Sequence, residues 1–166
     1  MTRETYIRMT ALTRRYLSRM PGGARLLRIP TLMCAAVYLL SLLWLMLMRD
    51  IRLIRAIAVP AACFLLVTLL RPVINRTRPY DFFQAEPVGP YRSGKGKSMP
   101  SRHAASAAAI AFAVIYVFPY PAAAMIMTVL ALLIAALRVL SGQHYVSDVL
   151  VAVLLSTLIS LAGYAL

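Results

Sequence analysis

Five apolar runs leave this chain little choice of architecture: Thr31–Met48, Ile54–Leu70, Arg102–Phe118, Ala122–Leu140 and Tyr145–Leu166. Each approaches the roughly 20 residues that an α-helix needs to cross the hydrocarbon core of a bilayer. In lipid a backbone must satisfy its own N–H and C=O groups, so only helices or a closed barrel can span it. Strand-type alternation is absent. The predicted class is therefore all-α, a polytopic transmembrane helix bundle of about five spans. Hydrophobic residues make up 61% of the 166, above the roughly 45–50% of an ordinary globular domain, and lipid must cover the surplus. Pro60 predicts a kink in the second run. Ala104, Ala105, Ala107, Ala108 and Ala109 predict close helix–helix approach in the third. Pro119 with Pro121, and Ser141-Gly142-Gln143, mark turns.

The polar remainder is basic. Lys and Arg number 18 against 5 Asp and Glu, a net charge of +13. The basic residues flank apolar runs instead of forming a stripe interleaved with aromatics, so anionic lipid headgroups and the bilayer are expected partners and nucleic acid is not. Residues 1–28 hold seven arginines, with Tyr6, Met9, Tyr16, Leu17 and Met20 near helical spacing. They predict a basic amphipathic helix on the membrane surface, broken at Pro21-Gly22-Gly23. This basic stretch is too long, and lacks a small-residue cleavage site, to read as a cleaved signal. The expected organisation is a 1–28 segment followed by a 29–166 transmembrane domain. Cys34 and Cys63 lie inside apolar runs and read as buried small hydrophobes.

Three polar clusters sit at the ends of the runs: Arg71-x6-Arg78-Pro79, Pro100-Ser101-Arg102-His103 and Arg138-x5-His144-x3-Asp148. Following five spans up and down through a bilayer brings all three to one face. Arginine binds phosphate oxygens bidentately and does not deprotonate, which makes Arg71, Arg78 and Arg138 candidates to hold an anion. Ser101 can cap the third helix, whose backbone N–H groups at 101–103 would face the same anion. His144 and Asp148, four residues apart, share a helix face. A carboxylate on one imidazole nitrogen makes the other more basic and fit for nucleophilic attack. His103 is then placed to protonate a leaving oxygen. Two histidines and one carboxylate among arginines form a poor cation environment, so no metal or other cofactor is expected. Lys95, Lys97 and Arg102 read as interface charges or substrate contacts, and Tyr80, Asp81 and Tyr145 as further candidates to line the pocket.

The ordered trio resembles the type 2 phosphatidic acid phosphatase superfamily, whose motifs read K-x6-R-P, P-S-G-H and S-R-x5-H-x3-D. The resemblance covers Arg71–Asp148 in motif. It implies a phosphatase in which His144 forms a phosphohistidine, Asp148 is its partner and His103 is the acid/base. Arg71, Arg78, Ser101, Arg102 and Arg138 would hold the phosphate. This chain departs from the pattern at Arg71, where the family has lysine, at Arg102, where it has glycine, and at Leu137, where serine is usual. None of these removes a catalytic group.

A site at the membrane interface suits an amphiphilic substrate such as phosphatidic acid, phosphatidylglycerophosphate or a polyprenyl phosphate or diphosphate, and the residues do not separate these. Two other readings use the same features. One is a lipid phosphotransferase working through the same intermediate, and the other is a non-catalytic protein that binds anionic lipid or conducts ions. The 18 basic residues divide into 15 on the side shared by the N-terminus and the clusters and 3 on the other. The expected orientation is therefore an integral plasma-membrane protein with its site facing the cytoplasm. Oligomeric state is left open.

Overall fold

The computed structural model describes residues 1–89 and 96–165, so Lys95 lies outside the described residues. The helices are α1 (Arg3–Ser18), α2 (Ile29–Leu47), α3 (Arg52–Ile74), α4 (Pro79–Phe83), α5 (Arg102–Val117), α6 (Pro121–Leu140) and α7 (Val146–Ala165), with a 3-10 helix at Gly23–Arg28 ahead of α2. No strand occurs among the described residues, and the all-α bundle expected from the apolar runs is what forms.

α5 is the hub and packs against α2, α3, α6 and α7. Its alanines explain this. Ala104, Ala105, Ala107, Ala108, Ala109, Ala111 and Ala113 are all buried, and without bulky side chains neighbouring backbones can approach closely. The outer helices show the complementary pattern. On α7, Asp148, Val149, Ala152, Ser156 and Ser160 face inward, while Leu150, Leu154, Leu158 and Leu161 are each more than half exposed. That leucine row at helical spacing is a surface for lipid, where water would penalise it.

Among the described residues, four segments are long and apolar enough to cross a bilayer, and α5 is a shorter apolar helix. Its 16 residues span about 24 Å, short of a core about 30 Å thick. The expectation of five spans therefore needs a qualification of length. α5 is sheathed by four other helices and does not have to meet lipid at its ends. α3 runs past its expected apolar stretch at both ends, and Asp50 holds its start. Its Oδ1 accepts the Arg52 N–H at 2.8 Å and its Oδ2 pairs with the Arg52 guanidinium at 2.7 Å. Those hydrogen bonds hold the Asp50 carboxyl below its usual range. Arg52 also donates to the Val117 carbonyl at 3.2 Å, closing that end of the bundle.

Ser156 links helices inside the bundle. The Ser156 hydroxyl lies 3.0 Å from the Ala105 carbonyl, 2.8 Å from the Ala152 carbonyl and 3.1 Å from Cys63 Sγ. Cys34 and Cys63 are both buried and free.

α1 forms as expected, with Thr2 capping it through the Thr5 N–H at 3.3 Å. The face it docks differs from the predicted stripe. Tyr6 and Thr10 are buried, whereas Tyr16 and Met20 are 62% and 50% exposed. Thr10 returns its hydroxyl to the Tyr6 carbonyl at 2.9 Å and can therefore face inward. Tyr6 packs on Phe83 at 5.3 Å between ring centroids. Its hydroxyl reaches the carbonyls of Ala85 and Gly142, each at 3.3 Å. Burial pushes that hydroxyl up to about 12, so it stays a donor across the working pH range.

Candidate active site

A cavity of about 400 Å³ opens at one end of the bundle, and Arg71, Arg78, Arg102, His103, Arg138 and His144 all line it. These six come from all three sequence clusters. The helix ends explain the convergence. Arg71 lies in the last turn of α3 and Arg78 precedes α4, while Arg102 and His103 open α5. Arg138 lies in the last turn of α6. The N–H groups of Gln143 and His144 both return to the Arg138 carbonyl, each at 3.2 Å. The turn therefore folds back and brings His144 to the cavity that Arg138 also lines.

Gly142 makes that turn possible. Its φ is +72°, and a Cβ there would stand 2.5 Å from Tyr6 Oη. The left-handed conformation and the close approach of α1 both exclude a side chain.

Asp148 stands behind His144, out of the cavity and fully buried. Its Oδ2 is 3.5 Å from His144 Nδ1, an electrostatic contact longer than a normal hydrogen bond. The same oxygen accepts the Ser98 hydroxyl at 2.5 Å and the Tyr145 N–H at 3.0 Å, and the second oxygen takes Arg76 Nη1 at 2.7 Å. The carboxylate is thus immobilised from four directions at the start of α7, where the helix dipole also favours it. Nδ1 of His144 is turned to Asp148, which leaves Nε2 for chemistry. Burial depresses the basicity of His144 while Asp148 opposes that effect, and the net direction is downward from the ordinary histidine value. The ring is therefore neutral near pH 7.

The arginines are held in different ways. Arg71 is 6% exposed and donates to the Lys97 carbonyl. It is a buried group and does not snorkel. Arg138 Nη1 donates to Gln143 Oε1 at 2.8 Å. Arg78 lies over the Tyr80 ring at 5.6 Å, and its Nε has no hydrogen-bond partner among the described residues. Buried polar atoms are normally satisfied, and Nε is an exception on a residue that lines the cavity.

Ser101 is positioned differently from the expectation. It precedes α5 but makes no side-chain capping bond, and its buried hydroxyl has no hydrogen-bond partner among the described residues. Its N–H donates to the Asp148 backbone carbonyl at 3.1 Å, so this donor braces α7 and does not point at an anion. Tyr80, Asp81 and Tyr145 are likewise not among the cavity-lining residues. α4 turns Tyr80 into a buried cluster with Tyr6 and Phe83, and Tyr145 lies 4.2 Å beneath the Arg76 guanidinium. Lys97 is exposed and outside the lining.

Three residues with parts in this arrangement carried no sequence signal. Arg76 sits within the x6 spacer of the first cluster, Ser98 in the polar loop, and Arg28 at the end of the 3-10 helix, where it lines the cavity. Only the proximity of Arg76 to Arg78 could have drawn attention to it.

A helical membrane bundle that gathers arginines, two imidazoles and a buried carboxylate at one end defines a membrane-embedded phosphatase. The chain belongs to the PAP2 superfamily, whose sequence profile matches residues 51–166. Among solved structures it is similar to a transmembrane PAP2-type phosphatidylglycerolphosphate phosphatase from Bacillus subtilis. The TM-score is 0.67 at 24% identity, covering 99% of this chain and 86% of that one. That likeness is one of fold. No curated protein matches the chain.

Proposed function

We propose that the protein hydrolyses a lipid phosphate through a phosphohistidine intermediate. Arg71, Arg78 and Arg138 bind the phosphoryl oxygens, and His144 Nε2 attacks phosphorus in line with the ester oxygen. The P–O bond to the lipid breaks as the P–N bond forms. His103 gives its proton to the departing alkoxide and then takes one from the water that attacks the phosphohistidine. Phosphate leaves, and His144 regains its lone pair. Asp148 stabilises positive charge on the ring in both steps.

The observation that carries this reading is the meeting of three sequence-distant clusters around one cavity, with the His144 ring between that cavity and Asp148. Family membership supports it as well. The name of the Bacillus subtilis neighbour puts phosphatidylglycerophosphate among the substrates to try, beside phosphatidic acid and the polyprenyl phosphates. The excess of basic residues on the site's side favours a cytoplasmic-facing site in the plasma membrane.

The test is phosphate release from a panel of lipid phosphates by purified protein in detergent with EDTA present. Quenching a labelled reaction in alkaline denaturant should trap label on the protein that survives alkali and is lost on subsequent acid treatment, as expected of a phosphoramidate on His144. Turnover by H144A at the parental rate would overturn the mechanism.

A further inference from the structure

The cavity holds more positive charge than one phosphate monoester requires. Among the described residues, five arginines line it and no carboxylate does. They fall into two groups. Arg71 is buried and Arg78 and Arg138 are half-buried, while Arg28 and Arg102 are exposed. A monoester carries nearly two negative charges, which the three inner guanidinium groups already oppose. Two more cations converging on the same space repel the first three unless a further anion separates them.

Arg102 also marks a junction. A second cavity of about 360 Å³, lined mainly by apolar side chains such as Cys34, Phe64, Ile110 and Ile134, shares Thr31, Arg102 and His103 with the first. A lipid tail in that apolar groove would leave its polar end passing Arg102 before reaching the inner arginines. Arg28 approaches the first cavity from the 3-10 helix that leads into α2, outside all three motifs. Arg102 stands where the family pattern has glycine. Neither residue is therefore explained by the chemistry shared across the motifs.

We propose that Arg28 and Arg102 form a second anion subsite on the tail side of the transferred phosphoryl group, and that the preferred substrate carries two phosphates. The second phosphate is either a phosphodiester linking the monoester to the lipid or the inner phosphate of a diphosphate. This proposal rests on the phosphatase reading above. The order along the substrate is tail, second phosphate at Arg28 and Arg102, bridging oxygen near His103, and then the phosphoryl group among the inner arginines.

The test compares kcat/KM within two pairs of matched chain length, using the full chain in detergent. One pair is phosphatidylglycerophosphate against phosphatidic acid, and the other is a polyprenyl diphosphate against its monophosphate. The parental protein should favour the two-phosphate member of at least one pair, and the favoured pair identifies the source of the second phosphate. R28Q and R102Q should each lower that ratio by about tenfold or more, the loss expected for one charge-assisted hydrogen bond. R25Q, on the same 3-10 helix but outside the cavity lining, should keep the parental ratio. A probe independent of turnover guards against variants that fail to fold. Methylenediphosphonate or glycerol 1,3-bisphosphate should protect the parental protein from heat at lower concentration than inorganic phosphate.

Equal treatment of both members of each pair overturns the proposal, as does protection no better than that of phosphate. Parental ratios in both R28Q and R102Q, with hydrolysis intact, would make these residues interface charges and leave the phosphatase reading standing. Failure to hydrolyse any lipid phosphate would remove the phosphatase reading and this proposal with it.

Discussion

Arg76 Nη1 lies 2.7 Å from Asp148 Oδ1, joining the loop after α3 to the first turn of α7 across 72 residues of sequence. The carboxylate is fully buried and the arginine 35% exposed. Arg76 also reaches the Ser147 hydroxyl at 2.6 Å and stacks on Tyr145 at 4.2 Å. Its charge and flat face are both engaged, so the orientation of Asp148, and through it that of His144, depends on a residue outside the cavity.

Arg76 should therefore act as a positioning residue. R76Q is expected to lower kcat by roughly ten- to a hundredfold, the scale of one charge-assisted hydrogen bond, with little change in KM. R76K should recover part of the loss, since it keeps the charge but not the fork or the stacking. Steady-state kinetics on one lipid phosphate decide the point. A rise in KM alone would assign Arg76 to substrate binding instead.

Protonation of His144 should abolish its nucleophilicity. Its folded-state pKa lies below the ordinary value because burial outweighs the Asp148 contact. His103 must carry a proton to act as the acid, and burial and the neighbouring Arg138 lower its pKa to about 4, so the rate should rise as pH falls below 7 and drop only once His144 itself takes a proton. Stability changes differently. As pH falls through about 6.5 the unfolded chain binds a proton that the native ring resists, so stability declines on acidification. A pH–rate profile for kcat/KM, paired with thermal melts at each pH, checks both. H144A should lower turnover by at least about 10³-fold while leaving the fold intact.

The contact between α1 and the catalytic turn predicts a linked loss of stability and activity. Y6F removes the hydroxyl that serves the Ala85 and Gly142 carbonyls and should cost about 1 kcal/mol. G142A introduces a Cβ against Tyr6 Oη at positive φ and should cost more, about 1–3 kcal/mol. It should also slow turnover, since His144 is two residues away. Melting in detergent beside an activity assay distinguishes this from an α1 that merely rests on the surface, for which Y6F would be silent.

Overpacking the hub should be felt throughout the bundle. Ala109 is completely buried on α5, and A109L forces the added carbons of a leucine side chain, about three in all, into a closed contact. A cost of about 1–3 kcal/mol is expected. S156A removes a hydroxyl shared between α5 and α7 and should cost about 0.6 kcal/mol, the average for such hydrogen bonds inside membranes.

Much of the fold was legible because lipid imposes a simple rule. Apolar runs of sufficient length must become helices, and parity along the chain then brings Arg71, Arg102 and Arg138 to one face. Spacing on a helix likewise paired His144 with Asp148. Finer matters were hidden from the sequence. Ser101 looked like a helix cap with its N–H free for an anion, yet that N–H is used by the Asp148 carbonyl. Tyr80 looked like a pocket residue, yet the packing of α1 draws it inward. Arg76 and Arg28 looked like two more basic residues in a basic chain.

The sequence by itself determined the helical class, the order of the elements and the types of residue gathered at their ends, since hydropathy and spacing act locally along the chain. Only the tertiary structure decided that Arg76 and Ser98 clamp Asp148, that Gly142 lies beneath Tyr6, and that Arg28 joins Arg102 at the cavity's edge. Such contacts depend on the rotation and depth of each helix. Those are set by how side chains interlock around α5, a property of many residues at once that no short motif records.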